Sequence, residues 1–108
     1  MQKTINVCGE DIVLKTYGLV PILYKKVFKR DIFKDIQNMS KNDYDIEILY
    51  NLVWLYARIA NKEIGGFEEW LSSFDALPIA DYIGDIIEMT TACITSKSTK
   101  KKKAAVSR

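Results

Sequence analysis

Histidine does not occur in this chain of 108 residues. Its absence removes the usual general base, the commonest metal ligand and every triad that works through imidazole. The other groups that could act as nucleophiles, acids or ligands are scattered. Cys8 and Cys93 match neither a metal nor a redox spacing. Asp81 and Asp85 share a helix face, but no second cluster completes a metal shell, and the adjacent Glu68 and Glu69 point apart. Gly65-Gly66 lacks the lysine and serine that finish a phosphate-binding loop. Ser72-Ser73 and Thr90-Thr91 have no neighbouring base. The expectation is a protein with no catalytic residue, no cofactor and no metal; an enzyme working without histidine is the least supported reading.

Free, partly buried thiols suit two distant cysteines, and a reducing compartment fits them best. No apolar run approaches the roughly 18 residues that span a bilayer, and no secretory signal pattern opens the chain. The net charge of +2 averages two unlike parts. Six bases and no acid fall in residues 97–108, which leaves the remainder at −4. An acidic body gives little reason to expect an extensive nucleic-acid-reading face.

The elements that must position any site follow from periodicity. Ile5 and Val7 alternate with polar neighbours, Cys8-Gly9-Glu10-Asp11 is a turn signal, and Ile12 to Leu14 resume an apolar run, so a β-hairpin is expected over about residues 3–15. Leu19, Ile22, Leu23 and Val27 take helical spacing, with Pro21 tolerated in the first turn. Lys25, Lys26, Lys29 and Arg30 gather at the far end of that helix, where they complement its dipole or, alternatively, form a phosphate-binding patch. Asp31 can cap a second helix with Ile32, Phe33 and Ile36, and residues 37–45 read as a loop.

A third helix is expected from about Asp45 to Asn61. On a helical wheel its polar residues Glu47, Asn51, Arg58 and Asn61 fall in a stripe only about 80° wide, and almost everything else is apolar. Such a helix is central to the domain or keeps surface for a partner. Trp54 lies inside the polar stripe; it is either an interface residue or packs under the hairpin or a loop. Phe67, Trp70, Leu71 and Phe74 give a short fourth helix after Gly65-Gly66. The last helix begins at Asp75-Ala76-Leu77-Pro78, follows Ile79, Tyr82, Ile83, Ile86, Ile87, Thr90 and Cys93, and ends near Ile94.

The fold class expected is mainly α: an N-terminal β-hairpin, then about five helices around a central third helix. Residues 1–95 form one domain and residues 96–108 a flexible basic tail. The run Lys100, Lys101, Lys102 and Lys103 is read as a solubilising tail, a weak non-specific ligand for acidic surfaces, or the trace of an adenine-rich coding stretch on which a ribosome can slip.

The order of a short hairpin, Leu14-Lys15-Thr16-Tyr17-Gly18-Leu19 leading into a helix, Ile48-Leu49-Tyr50-Asn51-Leu52-Val53-Trp54, then Gly66-Phe67-Glu68-Glu69-Trp70-Leu71 and a basic tail resembles the tail assembly chaperones of long-tailed bacteriophages, particularly those of Gram-positive hosts. The likeness covers about residues 3–96, and Pro21 departs from the pattern. The resemblance implies a non-enzymatic chaperone of the host bacterial cytoplasm, absent from the mature virion. It would bind the tape measure protein, with the major tail protein a further partner, and would self-associate without membrane or nucleic acid. It also implies a longer form made by programmed frameshifting, with the slip near Lys100–Lys103. Tyr50, Trp54, Tyr56, Phe67, Trp70 and Phe74 are the partner-binding candidates. The alternative is a small nucleic-acid-binding or regulatory helical protein, resting on the basic end of the first helix and the tail.

Overall fold

In a computed structural model, residues 1–39 and 45–95 are described. Asp45 starts the helix that organises them: its carboxylate accepts the Glu47 amide at 3.0 Å, with Glu47 itself in the first turn. This helix, α3, runs Ile46–Ala60, and from Ile48 to Ala57 every residue is buried except the half-buried Tyr50. It is the axis of the fold, and the mainly helical class with an N-terminal hairpin is as the periodicity indicates.

The hairpin pairs β1 (Gln2–Val7) with β2 (Glu10–Lys15) in an antiparallel register that sets Ile5 opposite Ile12. Ile5, Val7, Ile12 and Leu14 form its buried face, and β2 lies against α3. The turn is tighter than the four-residue signal suggests. Only Cys8 and Gly9 stand outside the ladder, both at positive φ (54° and 85°), and Glu10 and Asp11 already pair. Two residues suffice because a turn with both central φ positive matches the twist of the strands. Asn6 fixes it, accepting the Gly9 amide and donating to Asp11.

Helix α1 (Val20–Phe28) carries Pro21 in its first turn and ends where Lys29 takes a left-handed conformation, φ 60°, its amide donating to Lys25 O. Asp31 then accepts the Phe33 amide at 2.9 Å and opens α2 (Ile32–Met39), which continues through residues assigned above to a loop. Tyr24, Arg30 and Asp35 tie the two helices together. Buried Asp35 accepts from the Tyr24 hydroxyl at 2.7 Å and from Arg30 through two nitrogens at 2.8 and 2.9 Å.

The short α4 (Phe67–Ser72) stops earlier than expected. Ser72 Oγ donates to Glu68 O and Ser73 Oγ to Trp70 O, so hydroxyls take carbonyls at the helix end and Phe74 falls in the following turn. A 3-10 turn over Ile79–Tyr82 precedes α5 (Ile83–Ile94), where the spacing predicts one helix starting over Asp75-Ala76-Leu77-Pro78. The reason is local: the Asp81 amide bonds to Pro78 O, three residues back. Buried Ile86, Met89 and Thr90 face the core, and the Tyr56 hydroxyl bonds to Thr90 Oγ1. The termini of the domain meet on the outside, where Lys3 bridges Asp85 and Glu88 and Tyr82 donates to Asn6 O.

Candidate functional site

The polar stripe of α3 is a seam rather than a wet face. Trp54 donates its indole N–H to Gly65 O at 3.1 Å, and Arg58 donates to Ile64 O at 3.0 Å while its guanidinium lies 6.0 Å from the centre of the Trp54 ring. Those bonds fasten the segment before α4 onto α3. Phe28 and Phe67 then close over the indole in edge-on contacts with centroids 6.0 and 6.1 Å away. Trp54 is left 8% exposed. Asn51, also in the stripe, is buried, and its amide opposes the rise of the Tyr24 pKa.

Two of the six aromatic candidates therefore offer no surface. Tyr56 is fully buried, its hydroxyl held by Thr90, and burial pushes its pKa up. Trp54 is core for the reasons above. The structure brings three others together. Tyr50, Phe67 and Phe74 line a cleft of about 460 Å³ between α3 and α4, with Leu71 and Leu77 between them and Glu68 and Asp75 on its rim. Trp70 stands perpendicular to Phe74, centroids 5.0 Å apart, and also walls a second cleft beside β2 and the end of α3.

Helix α4 is unusual in having no buried residue. Phe67, Trp70 and Leu71 are all half-covered, although Phe67 and Trp70 pack against the core. A six-residue helix cannot hold itself together alone, so its shape depends on that partial packing. The arrangement is an apolar, aromatic surface on a weakly anchored element, with acids on one side. Among the described residues no cluster of three or more cysteines and carboxylates could hold a metal ion, and no helix is long and apolar enough to cross a membrane.

No family model, no curated protein and no solved structure matches this chain.

The basic cluster at the end of α1 does not act as one patch. Arg30 is committed to Asp35, and Lys29 Nζ donates to Lys26 O. Burial pushes the Asp35 pKa up, but the bonds from Arg30 and Tyr24 outweigh it and leave the carboxyl below its ordinary value. The Tyr24 hydroxyl moves up, first through burial and then through the carboxylate it serves. Sequence reasoning missed this trio, and it missed that Ile22 and Phe33 are exposed. A signal for the second was present: Ile32 and Phe33 are adjacent, and adjacent helical residues cannot share one buried face. Of the thiols, Cys8 is exposed and Cys93 half-buried, its pKa raised by burial. Lys100, Lys101, Lys102 and Lys103 lie outside the described residues.

Proposed function

We propose that this chain is a non-enzymatic tail assembly chaperone that holds the tape measure protein of a long-tailed phage during tail tube assembly. One observation carries the reading: α4 presents Phe67, Trp70 and Leu71 half-covered beside Tyr50 and Phe74. A tape measure protein is a long, apolar, helix-rich chain that aggregates when uncovered. A holder for it needs apolar surface that can be exchanged between its own core and a client. The layout of hairpin, third helix and Gly-Phe-Glu-Glu-Trp-Leu segment supports the same reading.

On this reading the major tail protein is a further partner, the chain associates with itself when no client is present, it works in the host cytoplasm, and it leaves before the virion is complete. Trp54 supports the surface from beneath through Phe67, Tyr56 faces Thr90 of α5, and neither touches the client.

Co-expression with a tape measure protein tests the proposal. The client stays soluble with the wild-type chain and precipitates with Tyr50→Ser/Phe74→Ser, a change confined to half-covered positions. A client equally insoluble with and without the wild-type chain would overturn it. Frameshifting is tested separately by intact-mass measurement of the products. Codons that interrupt the adenine run over Lys100–Lys103, with no longer product, would remove that part alone.

A further inference from the structure

A third cleft, of about 440 Å³, lies on a different part of the molecule, in the corner between α1 and α2. Its apolar lining is Pro21, Ile22, Ile32 and Phe33, and Lys25 and Lys26 stand at its edge. Ile32 is buried and serves as floor, whereas Ile22 is 61% and Phe33 56% exposed. These are the two most exposed large apolar side chains among the described residues, and they border one cavity. Single exposed apolar residues are ordinary; two that share a concave surface mark a contact.

The charges around this cleft are positive except for Asp31, and two of them are uncommitted. Arg30 is spent on Asp35, and Asp31, which also lines the cleft, is spent on capping α2. Lys25 and Lys26 form no ion pair with any described residue. Their place in the last turn of α1 suits the helix dipole, but that effect reaches any cation there and explains neither Ile22 nor Phe33.

We propose that the α1–α2 cleft docks an acidic amphipathic helix of a partner protein, with apolar anchors on Ile22 and Phe33 and carboxylates against Lys25 and Lys26. A phosphate backbone would meet the lysines and leave the apolar floor wet. An extended peptide would find helices on both sides, their backbone groups already bonded, and no sheet edge to join. A helix arrives with its own backbone satisfied and can present both kinds of side chain one turn apart. This surface is separate from the α3–α4 cleft and does not depend on what that cleft holds.

The full chain is titrated against a fluorescent synthetic amphipathic helix of about 20 residues, long enough to hold its shape. One version carries glutamates beside an isoleucine and leucine stripe; the other carries lysines in their place. The acidic helix binds about tenfold or more tighter than the basic one, and its affinity falls with salt. Lys25→Glu/Lys26→Glu reverses that order. Ile22→Ser/Phe33→Ser loses both helices without moving the thermal midpoint, since both side chains are exposed. Equal binding of the two helices, or binding of neither, overturns the proposal. So does a single-stranded DNA oligonucleotide that binds through Lys25 and Lys26 and is indifferent to Ile22→Ser/Phe33→Ser, because the patch then reads phosphate. A chain that fails to keep a tape measure protein soluble yet prefers the acidic helix leaves this proposal standing.

Discussion

The Tyr24 hydroxyl donates a 2.7 Å hydrogen bond to Asp35 Oδ2, joining α1 to α2 inside the core, and Arg30 closes the same carboxylate from the solvent side. The carboxyl has a lower pKa folded than unfolded, so the folded state takes up its proton less readily. Its contribution to stability is complete above the ordinary value of 3.8 and is lost as pH falls through the lower folded value. Asp35→Asn is expected to cost about 1–3 kcal/mol at neutral pH, discounted for the exposure of Arg30. Urea midpoints of wild type and variant should converge below pH 3.8. A gap that persists at lower pH would show that packing rather than charge is responsible.

The opposite limb of the pH profile belongs to Tyr24 and Tyr56. Both are fully buried and both phenols are raised above the ordinary value of 10.0, chiefly by burial. Stability is complete below that value. Above it the unfolded chain releases protons that the folded one retains, so stability falls by about 1.4 kcal/mol per pH unit for each group. Tyr56→Phe should flatten the alkaline decline by one proton, read from denaturation midpoints between pH 9 and 11. An unchanged slope would mean that Tyr56 does not stay protonated in the fold.

Trp54→Ala is expected to destabilise the domain by about 3–5 kcal/mol, the range for a truncated core tryptophan. Trp54→Phe keeps ring packing and loses the bond to Gly65 O, at about 1–2 kcal/mol. Chemical denaturation distinguishes the two. Near-zero cost for the alanine would return Trp54 to the surface and reopen its role as a direct contact.

At the hairpin turn, a methyl added to Gly9 meets no atom within 4 Å, so any cost of Gly9→Ala comes from the backbone at φ 85°. That cost is about 1–2 kcal/mol. Cys8→Asn should do the reverse by a few tenths of a kcal/mol, because asparagine suits the first position of such a turn. The gain is offset in part by the lost contact of Cys8 Sγ with Ala76 O. Thermal melts under reducing conditions measure both.

The elements were legible wherever the period was long enough to read. The alternation of Ile5, Val7, Ile12 and Leu14 and the nearly all-round apolar surface of α3 each indicated what they pack against. The covering of the polar stripe was not legible. Asn51, Trp54 and Arg58 look like a solvated line on a wheel, and only the tertiary placement of Gly65, Ile64 and Phe67 turns them into a seam. Of the aromatic candidates, residue type could not separate Tyr50 from Tyr56, which differ in which side of α3 they occupy. The 3-10 start before α5 also escaped, since a single-turn change of hydrogen-bond pattern leaves the spacing of Ile79, Tyr82 and Ile83 almost unaltered.

The clasp between the two ends of the domain has a consequence for synthesis. Lys3 has its acidic partners 82 and 85 residues later, and the Asn6 carbonyl receives Tyr82 after 76. A nascent chain carries the hairpin through most of its translation with only β2 beside β1 and the outer edge unlatched. The latch closes only once Glu88 has left the ribosome. Every partner in this clasp lies within or before α5, so two products that diverge beyond α5 would keep the same clasp.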